Sequence, residues 1–208
     1  MRIIKESGEQ SPLISIGDNQ NMIKLVRVNS DYIKKLREAD QNVQINSAEM
    51  NKQTKPFLGV LFNVGYIEYF VPLSSPKEKH IKMNDSADFH KVYARNGKLR
   101  AVLNFNNMVP VIPTLYEEIN INADKDKFVL RDEYEFFLRH TAVLQRKAKA
   151  YYDMFCNNRL SPAQRKRTCD FLALERVLID ILKNENSVNS ARYQASRSKK
   201  SSDEGKSK

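Results

Sequence analysis

Cysteine and histidine are scarce in this chain, and the scarcity removes whole classes of chemistry. The two cysteines, Cys156 and Cys169, have no Cys or His neighbour at zinc-ligand spacing, so no zinc site is legible and a reducing compartment suits them. Both sit in segments that read as helical. The three histidines, His80, His90 and His140, form no metal triad in the sequence, and no metal or cofactor is expected. No window approaches the length of a membrane span, and the opening MRIIKESGEQSPLISIG lacks the unbroken apolar core of a secretory signal. A cytoplasmic protein with no membrane partner is expected. Internal repeats are absent, and so is the helix-turn-helix spacing of a DNA-binding regulator.

What the chain does have is positive charge. Thirty-five Lys and Arg against 25 Asp and Glu leave +10 on 208 residues. Such a field attracts polyanions and is weakly felt by neutral metabolites, which makes nucleic acid the first partner to test. A solubility role for the surplus lysine accounts for composition alone equally well. The length suits one domain with tails.

Polar residues 1–21, broken by Gly8, Pro12 and Gly17, read as an extension, and the main domain is expected over 22–186. A strand, IKLVRV, leads to the helix DYIKKLREAD, which Asn29 and Ser30 can cap. After a connection rich in Asn and Gln, the β-branched and aromatic run FLGVLF is expected to pair with YIEYFVPL through a turn at Asn63-Val64-Gly65. Asn96 and Gly97 supply two positive-φ residues for a tight turn between KVYA and LRAVLNF. The run MVPVIP, with Pro110 and Pro113, belongs at an edge or a bend.

Beyond Asp124 the period is helical. Leu130, Tyr134, Phe137, Thr141, Leu144, Ala148, Tyr151 and Phe155 define one buried stripe. Ser161, Pro162 and Gln164 form a capping box, and Phe171, Leu174, Leu178 and Ile181 continue an apolar face. From Ser187 a serine and lysine tail, with six basic and two acidic residues, is too polar to bury a core and is expected to be disordered.

The strand YIEYFVPL stops on Ser74, Ser75, Pro76 and Lys77. Proline ends sheet pairing and leaves two hydroxyls and an ammonium at a strand end. Taken alone, Ser-Ser-Pro-Lys is an ordinary turn. Its company is informative: Gly59 in the preceding strand; Pro72 and Leu73 before the serines; Leu103 and Asn104 leading to Met108, Val109, Pro110 and Val111; and Thr168, Cys169, Asp170 and Phe171. In this order and spacing the chain resembles the ToxN/AbiQ family of type III toxin-antitoxin endoribonucleases over about residues 22–183. It departs from the family in residues 1–21, an addition or an upstream start choice, and at the family's active-site tyrosine, near whose position Asn51 falls.

The resemblance implies an α+β fold. Its core would be a strongly bent, antiparallel, SH3-like sheet of the Kid/MazF kind, flanked by helices and followed by a long C-terminal helical region. It also implies metal-independent cleavage of single-stranded RNA. The ribose 2′-hydroxyl attacks the adjacent phosphorus, leaving a 2′,3′-cyclic phosphate and a 5′-hydroxyl. Lys77 is then the candidate to neutralise the developing charge, with Ser75 and Ser74 as donors to the scissile phosphate, each worth about 3 kcal/mol in the transition state. RNA-binding candidates are Lys55, Lys79, His80, Arg146, Lys147, Lys149, Arg165 and Lys166. The last five belong to a basic run over 139–167 in which Asp153 is the sole acid. A solvated helix face explains that run as readily as an RNA groove.

The family's partners are a small pseudoknot antitoxin RNA, cut from a repeat precursor by the toxin itself and held in closed protein-RNA assemblies, and cellular or phage messages. The alternative is a noncatalytic RNA-binding module on the same fold, which the absent tyrosine favours.

Overall fold

The computed structural model describes residues 23–44, 56–59 and 61–184. The extension over 1–21, the tail over 187–208, Asn51 and Lys55 lie outside the described residues.

Strand β1 (Lys24–Val28) and helix α1 (Ser30–Ala39) fall where the sequence places them. Asn29 caps the helix: its Oδ1 accepts from the backbone N–H of Asp31 at 2.9 Å and of Tyr32 at 3.0 Å, satisfying two of the end's orphan donors. Next come β2 (Pro56–Gly59), β3 (Asn63–Val64) and β4 (Ile67–Ser74). The expected turn is shifted along the chain. Asn63 and Val64 pair with Glu68 and Ile67, and the chain reverses at Gly65, φ 60°, and Tyr66.

A five-residue helix α2 (Glu78–Lys82) follows, then the hairpin β5 (Phe89–Tyr93) and β6 (Leu99–Asn104). Only Gly97 of its turn takes a positive φ, 78°. The Gly97 N–H donates to the Ala94 carbonyl at 3.0 Å and the Ala94 N–H to the Lys98 carbonyl at 2.9 Å. The loop is therefore a turn closed by a glycine bulge, not the two-residue reversal with both residues at positive φ. Short strands β7 (Val109–Val111) and β8 (Tyr116–Glu118) complete the β half. Strand β7 meets β4 alone, and the Pro110 carbonyl accepts from the Tyr32 hydroxyl at 2.6 Å, as an edge proline allows.

Every pairing is antiparallel, in the order β5-β6-β4-β2-β1-β8, with β3 and β7 on β4 beside that path. Among the described residues the sheet does not close. Strand β4 organises it: residues 67–68 meet β3, 68–70 meet β7, Val71 and Pro72 meet β2, and Leu73 and Ser74 meet β6. Gly59 of β2 lies over the Phe70 ring so closely that a Cβ there would sit 2.0 Å from it.

Helix α3 (Lys127–Cys156) runs 30 residues and buries Leu130, Phe137, Leu144, Ala148, Tyr151 and Phe155 of the expected stripe, together with Glu133, Phe136 and Tyr152, while Tyr134 and Thr141 of that stripe are half-buried. Helix α4 (Pro162–Arg167) starts on the Ser161 capping box and stops after six residues. Thr168 Oγ1 donates to the Gln164 carbonyl at 2.7 Å, and the Cys169 N–H turns away to the Asn106 carbonyl at 2.9 Å. Asp170 then caps a new helix, α5, over 171–184, its Oδ1 accepting from the Ala173 N–H at 3.0 Å. Cys169 accordingly lies in a break between helices, while Cys156 closes α3.

Helix α5 is held by an aromatic cluster. The hydroxyls of Tyr69 and Tyr152 both donate to Glu175 Oε1, at 2.6 and 2.8 Å, while Phe62 stacks on Tyr69 with 4.7 Å between centroids. Tyr69 thus anchors β4 to α3 and α5, five residues ahead of Ser74.

Candidate active site

Strand β4 ends at Ser74, and Pro76, which offers no N–H, blocks further pairing. Lys77 stands exposed where α2 begins. Its backbone is held from one turn ahead: the Lys77 N–H donates to His80 Nδ1 at 3.0 Å, and the His80 N–H returns to the Lys77 carbonyl at 2.8 Å. With Nδ1 accepting, the imidazole proton sits on Nε2. Burial, followed by the charges of Lys79, Lys77 and Lys91, pushes the His80 pKa below its ordinary value, so the ring is neutral at pH 7. His80 is buried, and it caps the turn that carries Lys77. A neutral ring in this tautomer donates at Nε2 and is a poor base there.

The two serines differ. Ser74 is half-buried, and its hydroxyl donates to Gln44 Oε1 at 3.1 Å. Gln44 is oriented in turn, its Nε2 donating to Asn107 Oδ1 at 2.8 Å, and Asn107 Nδ2 donates to the Asn42 carbonyl at 2.9 Å. The Ser74 proton is therefore committed to a chain of amides, with Asn104 Nδ2 at 3.5 Å from its oxygen. Ser75 is exposed, beside Lys77.

Segments far apart in sequence meet next to this strand end. Asn106 Nδ2 donates to the Arg167 carbonyl at 2.7 Å, and Asn42 Nδ2 to the Thr168 carbonyl at 3.2 Å. The Tyr151 and Thr168 hydroxyls are 2.7 Å apart. Arg167 forms an ion pair with the buried Asp88, Nε and Nη2 lying 2.7 and 2.6 Å from Oδ2, and the Ser86 hydroxyl holds Oδ1 at 2.7 Å. Burial pushes the Cys169 thiol up to about 12, so it is a packing group and no nucleophile.

Of the expected RNA contacts, Lys79 and His80 follow Lys77 in the first turn of α2, Lys79 exposed and His80 buried. Arg146 is exposed on α3, and Lys149 is exposed there with its Nζ 2.5 Å from Asp153. Lys147 turns inward: its ammonium donates to the Phe89 carbonyl at 3.3 Å, and burial lowers its pKa. Arg165 lies over the Phe155 ring at 4.0 Å, and Lys166 is exposed. Gln44, Asn107, Asp88 and Asn106 were not singled out from sequence. The Asn and Gln richness of residues 41–54 and the Asn pair after Phe105 were the only signals. Among the described residues no three His, Cys, Asp or Glu side chains gather as a metal would need, and no helix is long and apolar enough to cross a membrane.

An ammonium and hydroxyls at the end of an antiparallel strand, backed by amides and flanked by cationic helices, define a polar site shaped for an anionic, hydrogen-bonding ligand. The family model for the ToxN toxin of type III toxin-antitoxin systems matches residues 24–179, and the chain belongs to that family. It is 31% identical over 166 residues to the endoribonuclease ToxN of Bacillus thuringiensis subsp. kurstaki, spanning 76% of this chain and 83% of that protein. The endoribonuclease ToxN of Pectobacterium atrosepticum is 23% identical over 74% of this chain and 90% of its own. Among solved structures, a type III toxin selectively inhibited by a non-coding RNA pseudoknot superposes with a TM-score of 0.64 at 30% identity, covering 74% of this chain and 94% of that one. AbiQ, a lactococcal anti-phage endoribonuclease, shares the fold with a TM-score of 0.69 at 21% identity, over 78% and 99% of the two chains.

Proposed function

We propose that this protein is the toxin of a type III, abortive-infection system and cuts single-stranded RNA by internal transesterification. The 2′-hydroxyl gives up its proton to solvent as its oxygen bonds to phosphorus, and the departing 5′-oxygen takes one up, giving a 2′,3′-cyclic phosphate and a 5′-hydroxyl. In this reading the reaction runs without a metal ion, and Lys77 places its ammonium against the nonbridging oxygens as charge develops there. Ser75 donates to the same phosphate, while Ser74, its proton given to Gln44, holds the strand end in register. The observation that carries the reading is the exposed Lys77 and Ser75 on a backbone locked by His80.

Residues 22–186 form the catalytic domain. The sheet is of the bent, SH3-like kind seen in Kid and MazF, which the four successive partners of β4 support. The inhibitor is a pseudoknot RNA processed from a repeat precursor, bound in a closed protein-RNA assembly. Lys55, Lys79, Arg146, Lys149, Arg165 and Lys166 contact phosphates, with the buried His80 and Lys147 supporting from within, and messages of cell or phage are the substrate.

The test is expression of wild type and Lys77→Ala without antitoxin. Growth arrest and RNA fragments with cyclic phosphate ends are expected from the wild type alone. Equal behaviour of the two proteins leaves the noncatalytic module as the better description.

A further inference from the structure

Beside the strand end lies an open cleft of about 400 Å³, a size at the small end of ligand sites. Lys79 and His80 of α2 and Met83 just after it form one wall, and the segment 86–89, Asn104, Asn106 and Arg167 form the other. Its one carboxylate, Asp88, is already satisfied by Ser86 and Arg167. The cleft therefore offers a cation no unpaired carboxylate, Arg167 is spent on Asp88, and the remaining ammonium, Lys79, is exposed to solvent.

It offers instead what a flat, neutral heterocycle needs. Met83, Phe89 and the His80 ring are apolar or planar surfaces, the two rings 5.5 Å apart. Asn106 has given its Nδ2 to the Arg167 carbonyl, which leaves Oδ1 to accept a hydrogen bond. Asn104 holds Ser74 only at 3.5 Å, so its amide can turn to a ligand edge. Two residues of the cleft reach the strand end: His80 accepts from the Lys77 N–H at 3.0 Å, and Asn104 lies 3.5 Å from Ser74, the neighbour of Ser75. An occupant of the cleft is thus a neighbour of whatever sits on Lys77 and Ser75.

We propose that the cleft receives one unstacked nucleobase of the nucleotide adjoining the scissile phosphate, and that Asn104 and Asn106 set the base preference at that position. This rests on the reading of Lys77 and Ser75 as the groups that work on phosphate. Phosphates stay outside, on Lys77 and Lys79, and the base edge meets two amides, which is how single-stranded RNA is read for sequence.

The experiment is cleavage-site mapping in a random-sequence RNA pool by wild type, Met83→Trp and Asn104→Asp. Met83 is partly exposed, so tryptophan fills the cleft without disturbing the core; aspartate replaces an amide donor by an acceptor. Preferences are ratios within one pool and do not depend on the fraction of active protein. Wild type is expected to discriminate about tenfold among bases at one position flanking the cut. Met83→Trp reduces that ratio to about twofold, and Asn104→Asp changes the favoured base, while preferences elsewhere persist. Variants too slow to map are read by competition binding of oligonucleotides bearing 2′-deoxyribose at the scissile position. An identical base ranking and ratio in all three proteins overturns the proposal. Failure of the underlying chemistry looks different: fragments without cyclic ends, or full cutting by Lys77→Ala, whatever the base preference.

Discussion

His80 and Lys77 are joined twice, by the Lys77 N–H to His80 Nδ1 at 3.0 Å and by the His80 N–H to the Lys77 carbonyl at 2.8 Å. The histidine is a positioning residue whose Nδ1 must stay unprotonated. Its pKa is depressed, so the stability it contributes is present above the ordinary value of 6.5 and is lost as pH falls through the lower folded value. kcat/KM of the wild type is expected to decline on the acid side below pH 6.5. His80→Asn, whose amide oxygen can accept the same N–H, removes that acid limb and keeps more activity than His80→Ala, which loses a cap worth about 1 kcal/mol. A pH-rate profile of the three proteins checks both points, and an unchanged acid limb in His80→Asn refutes the assignment.

Ser75 and Ser74 should not be equal in effect. Ser75→Ala is expected to lower kcat by about a hundredfold, the loss of one phosphate donor. Ser74→Ala costs less, about tenfold, because its hydroxyl proton already goes to Gln44. Single-turnover rates on one short RNA give the order; the reverse order would show that Ser74 turns to the phosphate.

Gln44 acts through Ser74. Gln44→Glu keeps an acceptor for the serine and loses the donor to Asn107 Oδ1, setting two oxygens against each other where the distance is now 2.8 Å. A fall of about tenfold in kcat is expected, with KM nearly unchanged. A change confined to KM would place Gln44 in substrate binding instead.

Gly59→Ala drives a methyl into the Phe70 ring, since a Cβ there meets it at 2.0 Å and both residues are buried. The substitution is expected to destabilise the protein by about 3 kcal/mol or more. Combining it with Phe70→Leu restores part of the loss. Urea unfolding of the single and double variants measures the coupling, and strict additivity would exclude the clash.

Glu133 is buried on α3, and burial pushes its pKa up to about 7, with Asp132 and Asp126 adding to the shift and Arg100 opposing it. The folded state binds this proton more tightly than the unfolded chain does. Stability therefore falls as pH rises from 4.5 toward 7 and the carboxylate must ionise in place. Glu133→Gln is expected to be the more stable protein at pH 8, by up to about 3 kcal/mol, and equal to wild type near pH 4.5. Thermal unfolding across that range reads the crossover.

Legibility in the sequence follows the distance over which each feature is specified. The Asn29 and Ser161 caps, the α3 stripe and the serine-proline end of β4 rest on neighbours within a few residues, and the chain states them openly. The Asn96-Gly97 reversal was legible as a turn but not as to type, because the β5-β6 register, with its shift between Val92 and Tyr93, decides how many residues the loop holds. The end of α4 was hidden, since the apolar period runs on past Thr168, and what stops the helix is Asn106, more than 60 residues earlier. Gln44 was hidden for the same reason. It acquires a role only when Ser74, 30 residues on, is folded against it.

The stitching of Asn106 to the Arg167 carbonyl and the Cys169 N–H also matters while the protein is being made. A chain emerging from the ribosome has Ser75 and Lys77 outside long before the residues that brace them. No prefix ending ahead of residue 171 holds the whole arrangement, so a stalled or prematurely terminated translation product of this gene carries the reactive groups without the frame that aligns them.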